Sequence, residues 1–348
     1  MSPIELSSPI PIVMTPEYKL VKADCIEWMD NQPEKSIDCI ITSPPYNLNI
    51  KYGKYQDDQP RDSYLKWMLD VARSMKRVLK DDGQLFLNVG YSNKDPWVAM
   101  DVAQVFRQVF VLQNNFTWVK HILLDNQSYG IYKPIAGDRF ASATTESIFH
   151  FTKTGDITVN RLAIGHRNTF HPKYPELYKE SRHIATHRRK VAKKMGFKTW
   201  LDVQKNATDV QMKQFNELME EMEKKNPWNP DKKKCIGNAW YIPYTPISKL
   251  AKEAGEDELG TRDSGRGGHP ATFPEQLPDM CIKFSGVPVG STVYDPFNGT
   301  GTTVLAAIKN NMYGVGTDID DSYLDFSNKR LDVYVSSINT KYTEFFEE

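Results

Sequence analysis

The chain has 348 residues, of which 40% are hydrophobic and 25% charged, enough for one large α/β domain and a smaller appended one. Its 44 basic and 44 acidic residues balance to a net charge of zero, but residues 151–240 hold 19 Lys and Arg against 10 Asp and Glu. Positive charge concentrated in this way favours a phosphate-bearing partner. No apolar run is long enough to cross a bilayer and residues 1–16 lack the features of a signal peptide, so we expect a cytoplasmic protein.

The first part of the chain alternates strands and helices. Residues 18–23 and 36–42 are predicted as strands, with a short amphipathic helix between them. A longer helix follows over residues 64–79, and the Lys80 to Gly83 segment closes it before a strand at 84–89. The same alternation continues through the segments 98–110, 115–123 and 146–153. Strand-helix-strand units of this kind predict a parallel sheet.

Residues 160–235 have a different character, being strongly basic and poor in strand-like apolar runs. One predicted helix in this segment has an apolar side formed by Met212, Phe215, Leu218, Met219 and Met222. We favour a small hydrophobic core as the role of this stripe over a groove for a partner. The segment is therefore predicted to be a separate, mainly helical module.

The α/β pattern resumes after this module, with a helix at 274–285 and a strand at 291–294. A single sheet interrupted by an insertion explains this order better than three domains do. We predict an α/β fold with a doubly wound, mostly parallel, Rossmann-like sheet built from residues 16–155 and 262–340, and an inserted domain at 156–261.

A glycine-rich turn follows the strand at 291–294, with the sequence Asp295-Pro296-Phe297-Asn298-Gly299-Thr300-Gly301-Thr302-Thr303. Glycines let the backbone pass close to a ligand, and a helix beginning near Thr302 offers free amide groups. Asp318 ends a further predicted strand, where a carboxylate can hold ribose hydroxyls. The third glycine of the dinucleotide fingerprint is absent, which argues against a nicotinamide cofactor. A tight turn without a ligand is the structural alternative.

A second motif, Thr42-Ser43-Pro44-Pro45-Tyr46-Asn47, ends the predicted strand at 36–42. Open α/β sheets bind their ligands at this end of their strands. The Pro-Pro-Tyr run taken alone would suit a proline-rich docking peptide, but such a peptide is expected in a disordered tail rather than directly after a buried strand.

Together these two motifs resemble those of the DNA amino-methyltransferases of the β order, in which the catalytic motif precedes the cofactor motif and the target recognition region lies between them. Further segments in the same order carry the resemblance: Ala23-Asp24-Cys25, Leu79 to Gly90, Trp118-Val119-Lys120, Glu146 to Phe151, Gly237-Asn238-Ala239-Trp240 and His269 to Pro274. The resemblance implies a seven-stranded sheet with one reversed strand, and it makes residues 156–261 the target recognition domain.

The resemblance also implies how catalysis works. The exocyclic amine of a base is conjugated with its ring, so acceptors must hold its hydrogens while the nitrogen turns towards the methyl donor. Ser43 and the backbone carbonyl of Pro44 would supply these acceptors, Pro45 would fix the turn, and Tyr46 would stack on a flipped base. Ser43 is then not a covalent nucleophile, and the Gly-x-Ser-x-Gly signature of hydrolases is absent around it. No strong general base is evident, and none is required if the product ammonium releases its proton to solvent.

The cofactor implied by the resemblance is S-adenosylmethionine, with no metal. Asp24 would meet the adenine and Asp318 the ribose, while His269, Phe273 and Pro274 would cover the methionine end. His269 as a metal ligand is disfavoured, because no partner lies at ligand spacing. The glycine-rich loop would hold the methionine portion through Asp295, Pro296, Phe297, Asn298, Gly299, Gly301 and Thr302, with Phe297 lining the pocket.

The inserted domain contains a basic stretch that we predict to contact DNA phosphates. Its candidate residues are Arg182, His187, Arg188, Arg189, Lys190, Lys193 and Lys194. The interleaved aromatic residues Tyr174, Tyr178 and Trp200 favour the same interpretation, whereas a solvated surface helix is the alternative.

The four cysteines, Cys25, Cys39, Cys235 and Cys281, form no Cys-x-x-Cys pair, so we expect buried reduced thiols. Enzymes that methylate cytosine at carbon 5 resemble one another in a Pro-Cys step, and none of the four follows a proline.

We therefore predict a cytosine-N4 DNA methyltransferase that flips its target base out of duplex DNA. Cytosine N4 is preferred because Ser43 stands where the adenine-N6 enzymes of the family more often carry Asp. Adenine N6 remains the alternative, structured RNA is a third substrate, and an inactive DNA-binding regulator is the alternative of another class. Family habit implies a separate restriction endonuclease as partner, and a homodimer is left open.

Overall fold

The computed structural model describes residues 17–50, 54–124, 127–130, 141–167, 180–226, 233–244 and 272–347. The strands in these ranges are β1 (Tyr18–Lys22), β2 (Ile37–Thr42), β3 (Leu79–Val89), β4 (Val111–Leu124), β5 (Gln127–Gly130), β6 (Thr145–Thr152), β7 (His166–Arg167), β8 (Lys233–Lys234), β9 (Ala239–Pro243), β10 (Thr292–Asp295) and β11 (Tyr313–Asp318). The helices are α1 (Cys25–Asp30), α2 (Arg61–Val78), α3 (Val98–Phe106), α4 (Glu180–Lys194), α5 (Trp200–Asn206), α6 (Asp209–Lys225), α7 (Gln276–Ser285), α8 (Thr302–Lys309) and α9 (Asp321–Glu347).

One large sheet has the strand order β1, β11, β10, β2, β3, β6, β4 and β5, with β9 also paired to β4. The first five strands in this order, β1, β11, β10, β2 and β3, pair in parallel. Strand β6 runs antiparallel to both β3 and β4. Seven strands with one reversed are therefore present as expected, and β5 and β9 extend that set at the β4 edge. This architecture confirms the predicted doubly wound, mostly parallel sheet.

The strand order reverses between β2 and β10. The chain passes from β2 to β3 on one side and from β10 to β11 on the other, so the connections diverge from this point. In open α/β sheets a crevice forms at such a point, at the carboxyl ends of the strands. The two sequence motifs begin at these two strand ends.

Helices cover both faces of the sheet. Leu85 and Leu87 of β3 point into the core shared with α1, α2 and α3, and α2 contributes buried residues at helical spacing, from Tyr64 to Val78. Phe86 points to the opposite face because side chains alternate along a strand, and it packs on Phe284 of α7. The apolar runs of the central strands thus reflect burial on both sides.

The start of β3 differs from the prediction. The Lys80 to Gly83 segment was expected to close the preceding helix, but α2 ends at Val78 and these residues belong to β3. Leu79 pairs with Ile37 and Gln84 with Cys39, so the register shifts and the residues between them bulge out of the ladder.

The chain divides into two compact units, residues 1–160 with 237–348, and residues 161–236. Residues 239–243, expected in the inserted domain, instead form β9 of the large sheet, paired with β4. Trp240 and Ile242 of this strand are buried and Trp118 Nε1 donates to the Ile242 carbonyl at 2.9 Å, whereas Tyr241 is exposed. Because β9 pairs with β4 and buries one of its faces, it is part of the large sheet.

The smaller unit contains α4, α5, α6 and the β7–β8 pair. Its core is formed by Val191, Ala192, Val203 and Phe215, with Met212, Leu218, Met219 and Met222 packed around it. This arrangement confirms that the predicted apolar stripe is a small hydrophobic core. Within the described ranges, no helix has the length and apolarity needed to span a membrane.

Candidate active site

The carboxyl ends of β2 and β10 lie side by side and are bonded to each other. Tyr294 pairs with Ile40 in the parallel ladder. Beyond that pair, Thr42 Oγ1 donates a hydrogen bond to Asp295 Oδ1 over 2.6 Å. Both residues are buried. The two motifs therefore begin at neighbouring points on the same edge of the sheet.

A cleft with a cavity volume of about 220 Å³ opens at this edge. The predicted site residues that line it are Asp24, Ser43, Pro44, Pro45, Tyr46, Pro296, Phe297 and Asp318. Those that do not line it are Asp295, Asn298, Gly299, Gly301, Thr302, Phe273 and Pro274. His269 lies outside the described residues. The cleft thus unites the first motif with the beginning of the second.

Asp295 has a structural position beneath the cleft. Its Oδ1 accepts from Thr42 and also from the backbone amide of Phe297 at 3.0 Å. Complete burial raises the pKa of its carboxyl from 3.8 to about 6, although these donors act in the opposite direction. Asp295 therefore ties the glycine-rich loop to β2.

The glycine-rich loop is held by close backbone approaches. Gly301 has a φ of 75°, in the left-handed region, and caps the start of α8. Gly299 donates its amide to Asp318 Oδ2 at 2.8 Å. Asn298 packs against Gly316 of β11, where an added Cβ would lie 2.7 Å from the Asn298 Cγ atom. The glycines allow the loop to lie tightly on β11.

Three carboxylates line the cleft: Asp24, Asp318 and Asp320. Asp24 caps α1, because its Oδ1 accepts from the amides of Ile26 and Glu27 at 2.9 and 3.1 Å. Asp318 lies at the end of β11, and burial raises the pKa of its carboxyl more than its bonds to backbone amides lower it. A row of carboxylates suits a ligand that carries hydroxyl groups and a positive charge.

An aromatic wall faces the cleft, formed by Tyr55, Trp67 and Phe297. The ring centroid of Trp67 lies 5.6 Å from that of Tyr55 and 5.6 Å from that of Phe297. Sequence reasoning found only Phe297, because Trp67 is one of many apolar residues on α2 and Tyr55 lies in a polar loop. The lining residues that it missed are Ala23, Cys25, Lys54, Tyr55, Gln59, Trp67, Ile319, Asp320 and Tyr323.

The Ser43-Pro44-Pro45-Tyr46 turn also lines the cleft. Ser43 Oγ lies 2.6 Å from Tyr46 Oη. Tyr64 of α2 donates its hydroxyl to the Pro45 carbonyl at 2.8 Å. No group among the described residues donates to the Pro44 carbonyl. The turn is thus fixed through Pro45 while the preceding carbonyl keeps its accepting capacity.

Asp57 organises the loop that follows this turn. Its buried carboxylate accepts from the backbone amides of Asn47, Leu48 and Ile50 at 2.8, 3.0 and 2.9 Å. Burial raises the pKa of Asp57, against the effect of these three bonds. Sequence reasoning missed this role, because an Asp that binds loop amides cannot be distinguished by sequence from any other loop Asp.

A polar cluster lies behind Tyr46. Asn88 at the end of β3 donates to Tyr46 Oη at 2.7 Å and to Glu146 Oε2 at 2.5 Å. Glu146 of β6 is also paired with Lys120 of β4 at 2.5 Å. All three residues fall in segments that carry the resemblance, but sequence reasoning assigned them no function. Only the pairing of β3, β6 and β4 brings them together.

The basic helix α4 presents Arg188, Arg189, Lys190, Lys193 and Lys194 as exposed residues, and Arg182 lies in the same helix. Arg188 lies over the ring of Trp200, 5.0 Å from its centroid. His187 does not belong to this surface and its assignment to DNA contact is corrected. Its side chain is 2% exposed, and its Nδ1 is bonded to Glu223 Oε2 at 3.0 Å. Tyr174 and Tyr178 lie outside the described residues.

Three of the four cysteines, Cys25, Cys39 and Cys281, are buried and unbridged, whereas Cys235 is exposed, contrary to expectation. Cys25 lines the cleft, and burial raises the pKa of its thiol well above the ordinary range. The thiol beside the cleft is therefore held in its neutral form.

Comparison with known proteins identifies the family of this chain. Residues 37–329 match the N6 and N4 family model described as DNA methylase. The chain is 26% identical to the orphan methyltransferase M.BamHII of Bacillus amyloliquefaciens, over 88% of this chain and 92% of that protein. It is 24% identical to the Type II methyltransferase M.BglII of Bacillus subtilis, over 89% of this chain and 67% of that protein. Among solved structures, the cytosine-N4-specific PvuII DNA methyltransferase matches with a TM-score of 0.56 and 18% identity, over 91% of this chain and 86% of that chain.

The cleft fits the methyl donor of this family. Its carboxylates can accept from ribose hydroxyls and complement a sulfonium charge, and its aromatic wall can contact an adenine ring. The buried Asn298 Oδ1 of the glycine-rich loop has no hydrogen-bond partner among the described residues. Those residues contain no group of His, Cys, Asp and Glu side chains arranged to hold a metal ion. The chain belongs to the DNA methylase family of N6 and N4 amino-methyltransferases, and S-adenosylmethionine is its methyl donor.

Proposed function

We propose that this DNA methyltransferase modifies the exocyclic N4 amine of cytosine in duplex DNA, after the base has rotated out of the helix into the cleft. The observation that carries the proposal is the position of Ser43, whose hydroxyl lies at the cleft and 2.6 Å from the Tyr46 hydroxyl. A small hydroxyl at this position favours cytosine, because the adenine enzymes that the motif resembles more often carry Asp.

Two acceptors in the turn act on the target amine. The Ser43 hydroxyl and the Pro44 carbonyl each accept one of its hydrogens, which draws the nitrogen lone pair out of conjugation and towards the methyl donor. The Pro45 carbonyl is already engaged by Tyr64, so it does not compete for the same amine. The ring of Tyr46 stacks on the extruded base.

S-adenosylmethionine would supply the methyl group from its positive sulfur to the amine nitrogen, and neutral S-adenosylhomocysteine would be the leaving group. Asp24 would meet the adenine, Asp318 the ribose, and the Asp295 to Thr302 loop, of which Pro296 and Phe297 line the cleft, the methionine portion. The Ser43 oxygen forms no covalent bond to the base, and the neutral thiol of Cys25 supplies no nucleophile. The ammonium formed after transfer is acidic enough to lose its proton to water.

The exposed basic residues of α4 contact phosphates of the DNA backbone. Arg189, Lys190, Lys193 and Lys194 supply charge without base specificity, so they contribute affinity and orientation rather than recognition of the sequence. The residues that read base edges are expected in the same unit.

The base identity is tested by methylating defined duplexes and digesting the product for nucleoside mass spectrometry. N4-methylcytosine is the expected product. N6-methyladenine as the sole product contradicts the cytosine assignment while leaving the amino-methyltransferase assignment intact. Methylation only of structured RNA would contradict both the base and the polymer.

An inactive DNA-binding regulator with the same fold is the rival from another class. Titration with S-adenosylmethionine separates the two, because saturable binding is expected of the enzyme and its absence favours the regulator. Part of the same proposal is a cytoplasmic location with a separate restriction endonuclease, since M.BglII and other relatives are named Type II methyltransferases. Sequencing for modified bases in cells with and without the gene tests the activity in vivo.

A further inference from the structure

The hydrogen bonds around Tyr46 form a continuous chain from the cleft to a shielded ion pair. Tyr46 Oη lies 2.6 Å from Ser43 Oγ, 2.7 Å from Asn88 Nδ2 and 3.3 Å from Glu146 Oε2. Glu146 Oε1 accepts from Lys120 Nζ at 2.5 Å. The side chains of Glu146 and Lys120 are only 13% and 19% exposed. In such a shielded cluster each hydrogen bond constrains the direction of the next.

The directions follow from which groups can donate. The Glu146 carboxylate only accepts, so Asn88 must turn its amide nitrogen towards Glu146 and Tyr46. The Tyr46 hydroxyl has a single proton. If that proton pointed to Ser43, the lone pairs of Tyr46 Oη would face the negatively charged Glu146 Oε2 at 3.3 Å, with no proton between the two oxygens. The Tyr46 proton therefore points to Glu146, and Ser43 must donate to Tyr46.

We propose that Glu146 is a positioning residue for methyl transfer, which acts through Tyr46 to fix the Ser43 hydroxyl as a hydrogen-bond acceptor towards the cleft. An exocyclic amine offers only N–H donors along its hydrogen-bonding directions. A Ser43 proton pointing into the cleft would oppose them, whereas a proton committed to Tyr46 leaves the Ser43 lone pairs for the amine. The inference rests on the proposed role of Ser43 but not on whether the base is cytosine or adenine.

Close packing holds this geometry. Gly90 follows β3, and a Cβ atom there would lie 2.9 Å from Tyr46 Cε2 and 3.0 Å from Glu146 Cδ. The first distance is shorter than real Cβ contacts and the second is at the tight end of their range, so the Tyr46 ring and the Glu146 carboxyl both lie close to the Gly90 backbone. Neither side chain can withdraw from the other towards Gly90, which maintains their facing orientation.

The first test is Glu146→Gln, which keeps the shape of the side chain. Lys120 can bond only to the amide oxygen, so the amide nitrogen is left facing Tyr46. The Tyr46 proton then loses its carboxylate acceptor, so no charged group holds Ser43 as the donor in the Ser43–Tyr46 bond, and the Ser43 proton is free to turn into the cleft. We expect kcat to fall about 10- to 100-fold, the range for a lost bond to a charged group, with an unchanged Kd for S-adenosylmethionine. Glu34→Gln, at a carboxylate whose side chain is 70% exposed, is the matched control and should keep wild-type kcat.

A double-mutant cycle with Tyr46→Phe distinguishes this role from a structural one. Because Glu146 acts through the Tyr46 hydroxyl, Glu146→Gln should change kcat little further once that hydroxyl is gone. Effects of the two substitutions that multiply instead would overturn the proposal.

A second variant removes the ion pair as a whole. Lys120→Met with Glu146→Met leaves no unpaired buried charge, so the fold should be retained, as checked by thermal unfolding. We expect kcat to stay low because the Glu146 carboxylate no longer accepts from Tyr46. Recovery of wild-type kcat would show that Glu146 only balances Lys120. Product analysis of the wild type separates this outcome from failure of the cytosine assignment, since a wild type that makes N6-methyladenine leaves the Glu146 test unaffected.

Discussion

Thr42 Oγ1 donates to Asp295 Oδ1 over 2.6 Å, although 253 positions separate the two residues in the chain. Each is the last residue of its strand and the first residue of one of the two motifs. The bond is buried and one partner is a carboxylate, which places it among the stronger hydrogen bonds in a protein. It fixes the Ser43 turn and the glycine-rich loop in one arrangement.

Thr42→Val tests this link. Valine fills the same volume but leaves Asp295 without one of its donors, so we expect about 1.5 to 3 kcal/mol of destabilisation at pH 7.5. The loss should be smaller at pH 4.5, where Asp295 is protonated and needs the donor less. Denaturant unfolding at the two pH values measures the difference, and an equal loss at both would contradict a role through the charged carboxylate.

Asp295→Asn tests the energetic effect of the buried carboxyl. Its folded pKa of about 6 lies above the ordinary value of 3.8, so its contribution to stability is complete below pH 3.8 and is lost as the pH rises through 6. A shift of about two units corresponds to about 3 kcal/mol. The variant should lack this loss, so its stability should rise more steeply than that of the wild type between pH 4 and 6.5. A variant with the wild-type pH profile would contradict the raised pKa.

His150 makes the stability of the protein rise with pH over the range in which Asp295 makes it fall. It lies in the sheet between Asn114 and Gln84 and stacks on Phe86, with ring centroids 4.4 Å apart. Burial lowers the pKa of His150 from 6.5 to about 4, so its contribution to stability is complete above pH 6.5 and is lost as the pH falls through 4.

His150→Gln should remove that acid sensitivity. The stability of this variant should then fall as the pH rises from 4 to 6, because the effect of Asp295 is no longer offset. Unfolding of the wild type, each single variant and the double variant gives four profiles. The wild type and the double variant should both have shallow profiles, whereas the two single variants should slope in opposite directions. A steep profile for the double variant would show that other groups control this range.

The sequence predicted the parts of the site that are local in the chain. Ser43 and Asp295 were recognisable because an apolar run ended in a distinctive turn, and a strand end in an α/β sheet is a ligand site on general grounds. The apolar spacing of Met212 and Phe215 likewise predicted the core of the smaller unit.

The remainder depends on contacts that local patterns do not contain. Asn88, Lys120 and Glu146 meet only because the reversed strand β6 lies between β3 and β4. His187 was grouped with its basic neighbours, but its burial depends on Glu223 of another helix. β9 was missed because five residues with one buried face are indistinguishable from a loop until β4 is beside them.

Gly316→Ala tests the support of the cofactor loop. The added methyl group would collide with the Asn298 side chain, which is bonded to Ser327 Oγ at 3.0 Å and has little freedom to move. We expect the loop to shift and the Kd for S-adenosylmethionine to rise about 10-fold or more, as misplacement at a preorganised site causes. Calorimetric titration measures the change. Gly237→Ala, where an added Cβ meets nothing within 4 Å, is the matched control and should bind as the wild type does.

The exposed positive charge of α4 predicts a specific salt dependence of DNA binding. Each phosphate contact releases condensed counterions, so log Kd changes with log salt concentration by about 0.9 per contact. Lys190→Ala with Lys193→Ala should weaken binding and lower this slope by up to about 2 if each lysine contacts a phosphate. Lys19→Ala with Lys66→Ala removes two exposed charges from the catalytic unit and should leave the slope unchanged. Equal slopes for the two double variants would mean that α4 is a solvated surface helix. Its lysines would then affect DNA binding only through the net charge of the protein.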